Sequence, residues 1–168
     1  MHRFTQVLRN STMNKSKKKR WYWGISLLIL LLFFFIRVPV FAFEFEDKTY
    51  YLKSDHFDLS WIHSVEKEEW IESYRRKDSQ LLLTNTHFKT FGAGVPSQSN
   101  DVSFEDGYVK MEINQLFNEL NLTVSSNVKT TIMVDQKEIP LYQYTEDYSM
   151  VHIFIEKLPL WRLVKGGF

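Results

Sequence analysis

The residue types best suited to chemistry in this chain cluster in and just after the stretch WIHSVEKEEW, Trp61 to Trp70. His63 and Ser64 adjoin there, with glutamates close behind. A histidine between a carboxylate and a hydroxyl is the core of an acid–base relay. The same residue types also hold metals or close a β-hairpin. A hairpin centred between Lys67 and Glu68 pairs Val65 with Trp70, His63 with Glu72 and Trp61 with Tyr74. All six side chains then share one face, because side chains alternate along a strand. A slip of one residue would set that face against Ile71, Ser73 and Arg75, so the apolar pattern favours the His63–Glu72 register. A carboxylate beside an imidazole fixes its tautomer and favours its charged form. Ser64 points to the opposite face of such a strand, which makes it a poor nucleophile, and no serine sits in a Gly-x-Ser-x-Gly turn. Three readings stay open for the pair: a buried bond that pins register, a ligand or interface surface, and catalysis or metal binding.

The other histidines, His2, His56, His87 and His152, form no HxH or HExxH spacing. Cysteine is absent, which excludes disulfides, thiolate nucleophiles and Cys-based zinc sites. No metal and no other cofactor is implied. The second unusual stretch is GAGVPS, Gly92 to Ser97. Gly92 and Gly94 permit left-handed backbone and close approach, and Pro96 stiffens the exit. A phosphate loop would need a helix start after it, and the residues at that place, SQSNDVSFEDG, read as loop. A structural turn is the simpler reading, with a functional loop as its alternative.

These residues need strands to position them. In FDLSWIHSV apolar residues mostly recur with period two, and WIESYRR, QLLLTNTHFKT, GYVKMEI, LNLTVSS, KTTIMVDQKEIPLY and SMVHIFIEKL are rich in β-formers. Turn signals fall between them at Lys77–Ser79, Gly92–Asn100, Glu105–Gly107 and Asp135–Lys137. Only INQLFNEL, Ile113 to Leu120, hints at a short helix. About seven strands at this spacing predict a mainly β fold, an antiparallel sandwich or barrel.

Ahead of these strands lies the block WYWGISLLILLLFFFIRVPVFAF, Trp21 to Phe43, preceded by KSKKKR. Eight of the 21 Lys and Arg precede Phe43 and none of the 20 Asp and Glu does. The remainder carries 13 basic and 20 acidic residues, a net charge of −7. A bilayer span needs roughly 20 apolar residues, and basic clusters stay cytoplasmic. The block therefore predicts one N-terminal transmembrane helix over 21–43, a cytoplasmic basic and disordered tail over 1–20, and an extracytoplasmic domain over 44–168. The competing reading is a signal peptide cleaved after Ala42, with Val40 as the other small residue. The basic cluster suits anionic lipid better than nucleic acid.

The order F-x-L-S-W-I-H-S-V (Phe57–Val65), Glu72 before Tyr74, THFKTFGAGVP (Thr86–Pro96), FEDGY (Phe104–Tyr108) and KEIPL (Lys137–Leu141) resembles a family of small bacterial exported proteins, the domain of unknown function numbered eighteen-fifty. The resemblance covers most of 44–140 and matches at His63, Ser64, Glu72, Gly92, Gly94 and Pro96. His-Ser-Val and Gly-Ala-Gly-x-Pro at this separation are its most specific part. It implies a setting beside tripartite (TRAP) transporters of the TAXI type, with their membrane subunit or solute receptor as partner, and no assigned activity. The long basic extension before Trp21 departs from it. The expectation is thus a membrane-anchored, extracytoplasmic β-domain in contact with the lipid bilayer, an accessory subunit of a TRAP-type transporter and not an enzyme. The alternatives are a small ligand-binding module floored by His63 and Glu72, and a hydrolase using that pair.

Overall fold

A computed structural model describes residues 15–96, 99 and 101–164. The first fourteen residues of the basic tail, His2 among them, lie outside the described residues, whereas its last six, Lys15–Arg20, expected to be disordered with the rest, are helical and open the first helix. The chain divides after Ile36 into two compact units. The first holds helix α1 (Lys15–Phe35). The second holds eleven strands in two antiparallel sheets.

The expected transmembrane helix over 21–43 is not found. Among the described residues no helix is long and apolar enough to cross a membrane. The reason is a change of element inside the apolar block. The helix ends at Phe35, and Arg37–Glu44 is strand β1. The uncharged stretch left in α1, Trp21 to Phe35, rises about 22 Å at 1.5 Å per residue. A hydrocarbon core is about 30 Å thick. Pro39 explains the break, since a proline inside a helix removes a hydrogen bond and clashes with the preceding turn. The boundary between the two compact units accordingly falls after Ile36 rather than Phe43.

β1 is an inner strand of the smaller sheet, ordered β2-β1-β11-β8, with β2 at Thr49–Leu52, β8 at Glu119–Val124 and β11 at Ser149–Pro159. It pairs with β11 along its whole length, from Arg37↔Pro159 to Glu44↔His152. Val40, Phe41, Ala42 and Phe43 are fully buried. A continuous apolar run is what a strand covered on both faces requires, and the same composition imitates a membrane helix. Ala42, the expected signal-cleavage position, stands in the middle of this strand. Cutting there would remove most of a core strand.

The larger sheet is ordered β10-β9-β3-β4-β5-β7-β6. Its strands are β3 (His56–Ile62), β4 (Glu69–Lys77), β5 (Gln80–Phe88), β6 (Asp101–Glu105), β7 (Tyr108–Phe117), β9 (Thr131–Val134) and β10 (Lys137–Pro140). Asp101–Glu105, expected as loop, is thus an edge strand, held by its pairing with β7. Three of the four expected turns close hairpins, and Gly92–Asn100 instead lies between β5 and β6, which both pair with β7. Asp78, Asp106, Gly107, Asp135 and Gln136 all adopt positive φ, as tight hairpin turns require. INQLFNEL is not helical: it is the end of β7 and the start of β8, with Asn114 left-handed at φ 57°.

The mainly β, sandwich-like expectation holds, with eleven strands instead of about seven. The sheets face each other across one core that takes Phe41 and Phe43 from β1, Phe57 and Leu59 from β3, Tyr74 from β4 and Ile153 from β11. Phe57 packs edge-on against Phe41 at 4.8 Å and stacks on Tyr74 at 5.4 Å. A smaller cluster of Trp70, Phe88, Val109 and Met111 adjoins it, and Trp61 and Ile113 pack against both.

Candidate functional site

The β3–β4 hairpin carries the residues with chemistry, in a register different from the expected one. Trp61 pairs with Trp70, Leu59 with Glu72 and Phe57 with Tyr74. The partner strand is shifted by four residues, so His63 does not meet Glu72. Face membership is unchanged, because an even shift preserves side-chain alternation. The physical cause is the connection. His63 to Glu68 form a loop instead of continuing the strands, closed by His63 N–H donating to the Glu68 carbonyl at 2.8 Å and Lys67 N–H donating to the His63 carbonyl at 3.0 Å. Lys67 turns the chain with φ 58°.

His63 pairs instead with Glu66, three residues on, through Nδ1 and Oε2. Its ring leans on Trp70 at 5.4 Å between centroids. The other Glu66 oxygen, Oε1, accepts the Ala93 backbone N–H at 3.0 Å. That bond is the main cause holding the Glu66 carboxyl below its ordinary pKa, with His63 adding to it. Glu66 thus ties the His-Ser-Val loop to the Gly-Ala-Gly-x-Pro loop. Gly92 makes this approach possible: a Cβ there would overlap the Glu66 carboxylate. Gly94 serves the turn itself, with φ 84° and open space where a Cβ would be. Pro96 comes two residues later, half-buried. A second strut joins the same loops, Thr90 Oγ1 donating to Glu68 Oε2 at 2.7 Å. Ser64 is exposed in the turn, with no hydrogen bond to His63 among the described residues.

Trp70 backs this knot. It stacks on Trp61 at 5.9 Å and 16°, packs on Phe88 at 5.0 Å, and donates its indole N–H to the buried Thr86 hydroxyl at 2.6 Å. No sequence signal singled out Glu66 or Ala93. Their contact joins two loops 27 residues apart, and no local pattern encodes it.

Glu72 lies elsewhere, on the inward face of β4. It lines a cleft of about 330 Å³ with Leu59 and Trp61 of β3, Leu122 and Thr123 of β8, and Val128 and Thr130 of the loop before β9. Its Oε2 accepts the Tyr74 hydroxyl at 2.5 Å. Burial raises the carboxyl's pKa, and the Tyr74 bond opposes that rise only in part. Burial, with Glu72 beside it, raises the Tyr74 phenol in turn. A second cleft of about 320 Å³, lined by His63, Ser64, Lys67 and Tyr148, also takes in Thr123 and Val128. His63 and Glu72 therefore mark two neighbouring hollows.

His87 lies on the face of β5 opposite Thr86 and Phe88 and does not join His63. Burial, and after it the nearby Lys110, lowers its pKa. His56 pairs with Asp55 at 2.8 Å and His152 with Asn121 at 2.5 Å. No group of three or more potential metal ligands occurs among the described residues.

The family model described as Domain of unknown function (DUF1850) matches residues 57–141. The chain belongs to this family. The DUF1850 match takes in the seven strands of the larger sheet, short only of His56, together with β8. All the residues lining the Glu72 cleft fall inside it. No curated protein and no solved structure gives a match.

Proposed function

We propose that this DUF1850 chain is a binding module, an extracytoplasmic accessory subunit of a TRAP-type solute transporter that engages a ligand or partner group at the Glu72 cleft. The observation that carries the binding reading is that cleft: an inter-sheet hollow with one partly desolvated carboxylate at its wall. Small-molecule sites are typically mostly apolar hollows with a few placed polar groups. The transporter setting rests on the family resemblance. The reading includes no membrane span.

A hydrolase built on His63 and Glu72 is less well supported. The two residues belong to different hollows, and His63 is committed to Glu66 and Trp70. No hydroxyl is hydrogen-bonded to its ring among the described residues, whereas general base catalysis needs one within roughly 2.6–3.2 Å.

The test is affinity capture of the tagged full chain from gently solubilised cells, with Glu72→Ala and His63→Ala beside wild type. Recovery of a TRAP membrane subunit or solute receptor with wild type, and its loss with folded Glu72→Ala, is the expected result. Recovery of neither partner at native expression overturns the transporter assignment. Equal recovery with Glu72→Ala moves the contact away from the cleft.

A further inference from the structure

We infer that the Glu72 cleft is a site for a small organic cation, a primary ammonium or a group of the same chemistry. This rests on the binding reading above and names the ligand class of that site. Among the described residues, Glu72 is the one ionisable side chain lining the hollow, and no Lys, Arg or His lines it. The polar groups beside it, Asn121, Thr123 and Thr130, are neutral. One carboxylate oxygen is fixed by the Tyr74 hydroxyl at 2.5 Å, and Oε1 has no hydrogen-bond partner among the described residues. Tyr74 is itself held by its stack on Phe57, so it acts as a positioning residue that leaves the free oxygen for a ligand.

A partly buried carboxylate without a counter-ion is costly, and an arriving cation with N–H donors supplies both the charge and the missing hydrogen bond. Charge-assisted bonds of this kind are short and strong. Trp61 adds an aromatic wall, the surface cations prefer among side chains. The net charge of −7 after Phe43 draws cations toward the domain and repels anions. The hollow, about 330 Å³, is at the small end of ligand sites, which selects a compact amine over an extended one.

The experiment titrates the purified full chain with n-butylammonium, n-butanol and n-butyrate, three probes of one shape and different charge. Binding is read by calorimetry and by backbone amide shifts around Trp61 and Thr123. Saturable binding of the ammonium alone is expected, centred on those amides. Its affinity should rise with pH as Glu72 ionises, and Glu72→Gln should weaken it by about tenfold or more, the scale of one lost charge-assisted contact. The pH dependence is measured on wild type, so the test survives a poorly folding variant. Equal binding of butanol or butyrate overturns the inference. So does pH-independent binding, unchanged binding by folded Glu72→Gln, or no saturable binding at all. None of these outcomes touches capture of a transporter subunit, so failure here is distinguishable from failure of the proposed function.

Discussion

Glu66 and Glu72 belong to one hairpin region, six positions apart, each beside aromatic side chains. Both oxygens of Glu66 face protein, one on the Ala93 N–H and one on His63. Glu72 has one oxygen on Tyr74 and the other open to a cleft. Their pKa values move in opposite directions, down for Glu66 through donated hydrogen bonds and up for Glu72 through burial. A carboxylate with both oxygens facing partners inside the chain, one by a hydrogen bond and one by an ion pair, fastens loops, and one with an oxygen left open against desolvation is available to something else. The sequence motifs His-Ser-Val and Gly-Ala-Gly-x-Pro belong to the fastening side. That makes His63 and Gly92 poor evidence of function and Glu72 better evidence.

The largest perturbation strikes both sides together. Trp70 supports His63 in the knot and Trp61 at the cleft, and its indole satisfies Thr86. Trp70→Ala should cost about 3–5 kcal/mol from lost burial and the cavity left behind, and it leaves a buried hydroxyl without its donor. Chemical denaturation should show the lower midpoint. A loss under about 0.5 kcal/mol, the range of ordinary surface changes, would mean that knot and cleft do not share this support.

The glycines separate the two sides. Gly94→Ala forces a Cβ onto left-handed backbone and should cost about 1–2 kcal/mol, visible as a lower melting temperature. Gly92→Ala acts through space instead, displacing the Glu66 carboxylate from Ala93 and His63. Its signature is electrostatic: the Glu66 carboxyl should titrate closer to the ordinary carboxylate range while Glu72 stays where it was. Carbon-13 carboxyl titration resolves the two. A Glu66 titration unmoved by Gly92→Ala would break the account of the knot.

How much of this was legible in the sequence differs between parity and distance. Alternation placed Phe57, Leu59, Trp61, Trp70, Glu72 and Tyr74 on one face, because side-chain direction follows from the strand alone. It did not give the register, since a shift of four preserves every face, and the hairpin loop with left-handed Lys67 set it. The apolar block failed for a related reason. Composition alone does not separate a doubly covered strand from a membrane helix, and β1 reveals itself only when β11 pairs with it. Pro39 was the available signal. INQLFNEL has helical spacing of apolar residues, but β5 supplies a partner edge and takes the segment into β7. The Glu66–Ala93 contact had no signal beyond a glycine that tolerates close approach.

The smallest effect is the most discriminating, because the two carboxylates should tilt stability on opposite sides of the ordinary carboxylate range. For Glu72 the folded pKa lies above the unfolded one. The folded state holds the proton more tightly, so stability falls as pH rises from the unfolded value through the folded one. For Glu66 the folded pKa lies below the unfolded one. Its contribution is present above the unfolded value and is lost as pH falls through the folded one. Glu72→Gln should flatten the upper arm of the stability profile and leave the lower arm intact, and Glu66→Gln should do the reverse. Urea midpoints measured from about pH 3 to pH 8 span both arms. If either variant flattened both arms, the carboxylates would be coupled, and the division into a closed knot and an open cleft would give way to a single site.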